Sequence, residues 1–210
     1  MAPAARVQLD PPPLCIEAGP AGGAGRLPRR AGDAKKNAPT DTLILFEDES
    51  HIRAYQAIGA TWFLRGHQNQ GPTYGHHAGV ALLGAVDIRG GTVAVQQATD
   101  LTAQTFQGFV EGLFAKYPEK RLVLICDNAK IHHAKCLESF WEQHHDRLRV
   151  WYLPAYSPNL NPTERLWKWL KSTVIGNAFH ADVQEIQTSV ERFLAYLDTV
   201  PHDVRSRICA

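Results

Sequence analysis

Three carboxylates in this chain of 210 residues follow or open stretches that read as rigid elements. Asp48 follows the apolar run Leu43 to Phe46, Asp127 follows Arg121 to Cys126, and Glu164 falls in the first turn of a helix that starts near Asn161. Carboxylates delivered this way can converge when the elements pack. They suit a hard divalent cation such as Mg²⁺, which binds through one or two carboxylates plus substrate phosphate oxygens. Two such ions about 3.5–4 Å apart can clamp the attacking and leaving oxygens of an in-line phosphoryl displacement, and nothing covalent is then required of the protein. Each acid also has a plainer reading. Glu164 closes a capping box, Asp127 starts an Asx-turn, and Glu47-Asp48-Glu49 is a solvated strand end.

Other residues could support that chemistry. Glu164, Trp167, Lys168 and Lys171 share one helix face by their i, i+3, i+4, i+7 spacing, which sets two ammonium groups in line with the acid. Lys168 and Lys171 are candidate contacts for a nucleic-acid backbone, and Trp167 is a candidate base contact or core residue. The same face also reads as an exposed charged stripe. Leu166, Leu170 and Val174 lie on another face, suited to docking on a sheet. His132, or its neighbour His133, is a candidate to hydrogen-bond a phosphate or orient a carboxylate, and Asn128 and Glu49 flank the acids as candidates for the same supporting role. Ten histidines raise the possibility of zinc. The pairs His76-His77, His132-His133 and His144-His145 are poor chelators, because adjacent side chains diverge and no cysteine completes a recognised spacing. Ser50-His51 fails as a nucleophile and base for the same geometric reason.

The elements that must hold these residues follow from patterning. Leu43 to Phe46 reads as a short buried strand ending in acids. Ala78 to Ile88 and Thr92 to Gln96 read as antiparallel strands joined by a Gly-Gly turn. Phe106, Phe109, Val110, Leu113 and Phe114 fall at helical spacing behind Thr102 as N-cap, and Tyr117-Pro118 stops that helix. Arg121 to Cys126 is a buried strand, about Ile131 to His144 a helix, and Leu148 to Leu153 a strand. Asn161-Pro162-Thr163-Glu164 presents an N-cap residue, proline at the first helical position and glutamate at the third, which predicts a helix through about Val174. A last amphipathic helix covers about Val183 to Leu197. This order gives an α/β fold, a mixed sheet covered by helices.

Composition limits the alternatives. Residues 1–40 hold 9 Ala, 7 Pro and 5 Gly, so they read as a low-complexity, disordered segment, with a domain boundary near Asp41. The remaining residues suffice for a stable core without disulfides or structural metal. Cys15, Cys126, Cys136 and Cys209 form no CxxC pair and read as reduced thiols. The longest apolar stretch, Ala78 to Val86, is far short of the roughly 20 residues of a membrane-spanning helix, and the N-terminus has no signal-peptide h-region, so an intracellular protein is expected. Residues 1–40 carry six Lys/Arg against three Asp/Glu, leaving 16 against 18 for residues 41–210. Nucleic-acid binding by that domain must therefore rely on local patches or metal ions rather than bulk charge. No Walker A, G-x-G-x-x-G or G-x-S-x-G motif occurs, and no nucleotide cofactor is expected.

LILFEDES (43–50), LVLICDNAKIHHA (122–134) and LPAYSPNLNPTERLWKWLK (153–171) resemble the three acidic blocks of DDE transposases, specifically the insertion-sequence 630 type within the mariner superfamily. The third block, Y-S-P-x-L-N-P-x-E-x-x-W-x-x-L-K, is the most specific, and 36 residues separate Asp127 from Glu164. The similarity covers about residues 36–200 and includes GATWF (59–63) and TYGHHAGVALLGAVD (73–87).

The resemblance implies a ribonuclease-H-like catalytic domain over residues 41–200, followed by a C-terminal tail at 201–210. It makes Asp48, Asp127 and Glu164 a catalytic, metal-binding triad for Mg²⁺ or Mn²⁺, two ions per site, one activating water and later a 3′-hydroxyl, the other stabilising the leaving oxygen. It further implies cleavage at terminal inverted repeats, strand transfer into a target duplex, a homodimer or larger assembly on DNA, and a nucleoid-associated location. Relatives of this type carry helix-turn-helix modules ahead of the catalytic domain. Residues 1–40 do not read as such modules, so the alternative expectation is a catalytically silent remnant.

Overall fold

The computed structural model describes residues 41–53, 79–154, 157–176 and 178–209. Residues 1–40, GATWF and the His76-His77 pair lie outside them. Five strands form one mixed sheet in the order β3-β2-β1-β4-β5. They are β1 (Thr42–Arg53), β2 (Gly79–Asp87), β3 (Thr92–Ala98), β4 (Arg121–Cys126) and β5 (Leu148–Tyr152). The β1–β2 and β2–β3 pairs are antiparallel, and β1–β4 and β4–β5 are parallel.

Helices cover both faces. On one face lie α1 (Ala103–Lys116) and α2 (Glu138–Gln143), burying Phe106, Phe109, Leu113 and Phe140 against Leu45, Leu83 and Leu124. On the other lie α3 (Thr163–Val174), α4 (Val183–Thr199) and α5 (Pro201–Cys209), whose Leu166, Leu170, Ile186, Val190, Phe193 and Val204 pack with Ile52, Leu82 and Val86. Coverage of both faces explains why RLVLIC reads as an unbroken apolar run: Leu122 to Cys126 are all buried.

Local sequence sets several boundaries. Gly91 takes φ +72° in the turn between β2 and β3, and the Asp87 carboxylate accepts from the Arg89 and Gly90 N–H groups. Thr102 caps α1 through a reciprocal box with Thr105.

The structure departs from the sequence-based expectation in four places. First, β1 does not end at its acids but continues to Arg53. Phe46 to Arg53 pair with β2, whereas pairing with β4 stops at Phe46↔Ile125, and Ile52 beyond the acids is buried. Second, the helix expected over about 131–144 is broken into two short 3₁₀ turns, Lys130–His133 and Lys135–Leu137, ahead of α2. Ala134 is extended at φ −67°, ψ 133°, and His132 is drawn inward by polar partners that a continuous helix would not present. Third, α3 starts at Thr163, one residue later than Pro162, although Asn161 still accepts from the Thr163 N–H. Fourth, residues 201–210, expected as a tail, contain α5, whose Val204 and Ile208 are buried in the core.

Candidate active site

The two faces of β1 divide its acids. Alternation along the strand sends Glu47 and Glu49 toward the α1 side and Asp48 toward α3. Asp48 sits two residues past the last residue of β1 paired with β4, at the rim where β4 ends and Asp127 follows.

Glu164 is brought to this rim by hydrogen bonds that fasten the start of α3 to β1. Asn161 Nδ2 donates to the Glu47 carbonyl at 2.8 Å, and Thr163 Oγ1 donates to the Phe46 carbonyl at 2.9 Å. Both side chains are buried. Glu164, next in sequence, is exposed at the helix N-terminus, where the backbone dipoles favour a carboxylate.

Asp48 is 8% exposed, and its Oδ2 accepts from the Trp167 Nε1–H at 3.0 Å. Its pKa is pushed up to about 8, first by burial and then by the negative charges of Glu164, Glu47, Glu49 and Asp127. All three acids singled out from the sequence therefore contribute to one field.

The opposite face is organised by His132, which is 1% exposed. Its Nε2 lies 2.9 Å from Glu49 Oε1 and 3.3 Å from Glu47 Oε2, and its Nδ1 lies 3.1 Å from the Asp127 carbonyl and 3.4 Å from Asp127 Oδ1. Both ring nitrogens face oxygens that only accept, so the ring is an imidazolium. Burial alone would lower its pKa, but the hydrogen bonds to Asp127 and Glu49 and the contact with the Glu47 carboxyl outweigh it and hold the pKa well above the ordinary histidine value. Phe106 packs on the ring with centroids 4.5 Å apart, and the Tyr152 hydroxyl donates to the His132 carbonyl. Burial pushes the Tyr152 pKa up to about 12.

Glu47 is fully buried, and neither of its oxygens has a hydrogen-bond partner among the described residues. The His132 Nε2–H is directed to Glu49, leaving Glu47 an ion-pair contact only. Burial raises its pKa, opposed by His132. Asp127 is half-buried, and its pKa is lowered chiefly by the hydrogen bond from His132, helped by the Ala129 N–H at 2.8 Å.

Two trios have potential ligand atoms within 4.8 Å of one another among the described residues: Glu47, Cys126 and His132, and Glu49, Asp127 and His132. Both depend on the same imidazole, whose two nitrogens already serve oxygens. Neither includes Asp48 or Glu164.

The remaining candidates are placed as follows. Asn128 donates to the Leu153 carbonyl at 2.7 Å and faces His133, so it fastens the turn after β4 to the end of β5. Lys168 is exposed and Lys171 half-buried on α3. Trp167 is 2% exposed, which corrects its placement among candidate DNA contacts: of the two roles the sequence left open, it occupies the core. Ser50 is buried and His51 exposed, so the two diverge as strand geometry requires.

Four contributors were missed in the sequence: Glu47 as a buried acid, Asn161 and Thr163 as anchors onto β1, and Gly84 beneath Trp167. Gly84 interrupts an otherwise β-favouring stretch, and that was the available signal.

The chain is similar to known proteins over this same region. Residues 43–187 match the family described as DDE superfamily endonuclease. The chain is 31% identical over 159 residues to the insertion element IS630 uncharacterized 39 kDa protein of Shigella sonnei, an alignment covering 75% of this chain and 46% of that protein. It thus spans about half the length of that relative. Its fold is similar to the Mos1 mariner paired-end complex with Mg (TM-score 0.60, 18% identity, 84% of this chain and 56% of the other). It is likewise similar to the Mos1 transposase paired-end complex with left transposon end (TM-score 0.58, 18% identity, 84% and 56%). The fold is accordingly the ribonuclease-H-like one, a mixed five-stranded sheet between helices. With a matched region that begins inside β1, contains Asp48, Asp127 and Glu164 and covers more than half of the residues, the chain belongs to the DDE superfamily of endonucleases.

Proposed function

We propose that this chain is the catalytic domain of an insertion-element transposase that cleaves DNA at terminal inverted repeats and joins the freed 3′ ends to target DNA. The observation that carries the reading is that the β1–β4 register sets Asp48 beside the end of β4, where Asp127 follows, and that Asn161 and Thr163 bond the start of α3, which carries Glu164, to the Glu47 and Phe46 carbonyls of β1. A buried carboxylate held among four others, with an indole as its hydrogen-bond donor, is poorly stabilised as an anion and well suited to a dication. The donor set fits Mg²⁺ or Mn²⁺, since the site offers hard carboxylate oxygens.

Asp48, Asp127 and Glu164 are the residues that would hold two such ions. Bound there, the ions would supply Lewis acidity at the scissile phosphate. The chain's own contribution is placement. Asn161 and Thr163 fix Glu164 against β1, His132 fixes the turn carrying Asp127, and Lys168 and Lys171 offer positive charge for backbone phosphates along the helix that carries Glu164. Pairing of two DNA ends makes a dimer or larger assembly on DNA the expected working form. Among the described residues no helix is long and apolar enough to cross a membrane.

The test uses the purified chain with Mn²⁺, a labelled inverted-repeat end and an unrelated duplex. Nicking of the repeat end, lost by about a thousandfold or more in Asp127→Asn with the fold unchanged by circular dichroism, is the expected result. Equal cutting of both duplexes would make it an unspecialised nuclease, and inertness would make it a silent remnant.

A further inference from the structure

Asp48 needs its carboxylate held at the rim against four negative neighbours, and the backbone alone does not do this. Among the described residues, the donor it receives is the Trp167 indole N–H, at 3.0 Å, from a ring only 2% exposed. The ring reaches Asp48 because of what lies across the sheet. Gly84 is the β2 residue paired with Asp48, and a Cβ built there would lie 2.4 Å from Trp167 Cη2 and 2.6 Å from Cζ2. Any side chain at position 84 would have to displace the indole. Trp167, Gly84 and Asp48 thus form one unit across α3, β2 and β1. Trp167 is also one turn from Glu164 on the same helix, so seating the indole sets the position of α3 at the rim.

We infer that Trp167 is a positioning residue for Asp48, with its N–H aiming the carboxylate toward the cation site and Gly84 serving as the seat that admits the ring. This rests on the proposed role of Asp48 as a cation ligand. It assigns the tryptophan of the third acidic block to the metal site rather than to DNA, and gives a chemical reason for a glycine at 84 between the buried apolar residues Val80 to Leu83 and Ala85-Val86.

The experiment measures affinity for Mn²⁺ alone by calorimetry, together with Mn²⁺-dependent nicking, in the 210-residue chain. Replacing Trp167 with 3-benzothienylalanine exchanges the N–H for sulfur at nearly constant shape, so the fold is kept and only the donor is lost. The expected result is Mn²⁺ affinity weakened about tenfold, the scale for removing a hydrogen bond to a metal ligand, with nicking at saturating Mn²⁺ reduced much less. Gly84→Ala, which keeps the N–H but crowds the ring, should weaken affinity in the same direction. Leu170→Ala removes buried volume from the same helix and should lower the melting temperature while leaving Mn²⁺ affinity unchanged. A benzothienyl variant with wild-type Mn²⁺ affinity, beside a wild type that binds the ion, overturns the role of Trp167 and leaves the site intact. A wild-type chain that binds no Mn²⁺ overturns the reading of the site and this inference together.

Discussion

Glu47 and Glu49 project from one face of β1 onto a protonated imidazole, while Asp48 projects from the other against the edge of an indole. The first face supplies a counter-charge from within the chain and the second supplies only a neutral donor. On the His132 side, a cation sits between acids and draws the Asp127 pKa down. On the Trp167 side, the Asp48 pKa rises to about 8. Asp127 and Asp48 are thus treated oppositely: the first is held by the His132 clamp, and the second, with no cation of the chain against it among the described residues, is where an external dication would lower the energy most. On the proposed reading, the side whose charge is left uncompensated is the one that takes the cation.

The largest expected effect that breaks this contrast is His132→Ala. It leaves Glu47 fully buried and Glu49 nearly so with no cation, and breaking one partner of a buried ionic set commonly destabilises by about 3–5 kcal/mol. Urea unfolding measures it, and a loss below about 1 kcal/mol would show that His132 is not the clamp.

Asp48→Asn sharpens the other side with opposite sign. The folded-state pKa is raised from 3.8 to about 8, so the favourable contribution of wild-type Asp48 is complete below about pH 4 and is lost as pH climbs toward 8. In chelator, the Asn variant should match wild type near pH 4 and exceed it by roughly 2–5 kcal/mol above pH 8, because Asn still accepts from Trp167 and carries no charge. Added Mg²⁺ should stabilise wild type and not the variant. A melting-temperature series from pH 4 to 9 reads both.

Thr163→Val is a smaller perturbation of the joint that carries Glu164 to Asp48. It removes the buried hydrogen bond to the Phe46 carbonyl and leaves that carbonyl without this donor, at about 1–2 kcal/mol by denaturant unfolding. Nicking should fall as α3 loosens from β1. Smallest is Lys168→Ala, on the exposed side of the helix. DNA affinity should drop similarly for cognate and unrelated duplexes, and the salt dependence should lose about one unit of slope.

Much of this candidate site is legible in the sequence because two of its acids, Asp127 and Glu164, lie at element ends set by local rules. The run RLVLIC predicts a buried strand, so Asp127 must emerge at a rim. Asn161-Pro162-Thr163-Glu164 predicts a helix start, so Glu164 must lie in a first turn. Thr102 and the Gly90-Gly91 turn are equally local, and the structure has both. Less legible are features that depend on partners distant in sequence. The role of Trp167 needs Asp48, 119 residues away, and the anchoring role of Asn161 needs the Glu47 carbonyl, 114 residues away. The break in the helix expected after Ile131 and the buried face of α5 are decided in the same way, by where His132 and Val204 find their partners.

Chain order and residue type by themselves determined which side chains could hold a hard cation and that strands and helices would alternate to carry them, since periodicity and capping are properties of neighbouring residues. Only the tertiary structure decided that β1 runs on past its acids and that His132 balances one of its faces while Trp167 meets the other. Those outcomes depend on burial and on charge at short range through space, and both are set by residues that sequence distance does not bring together.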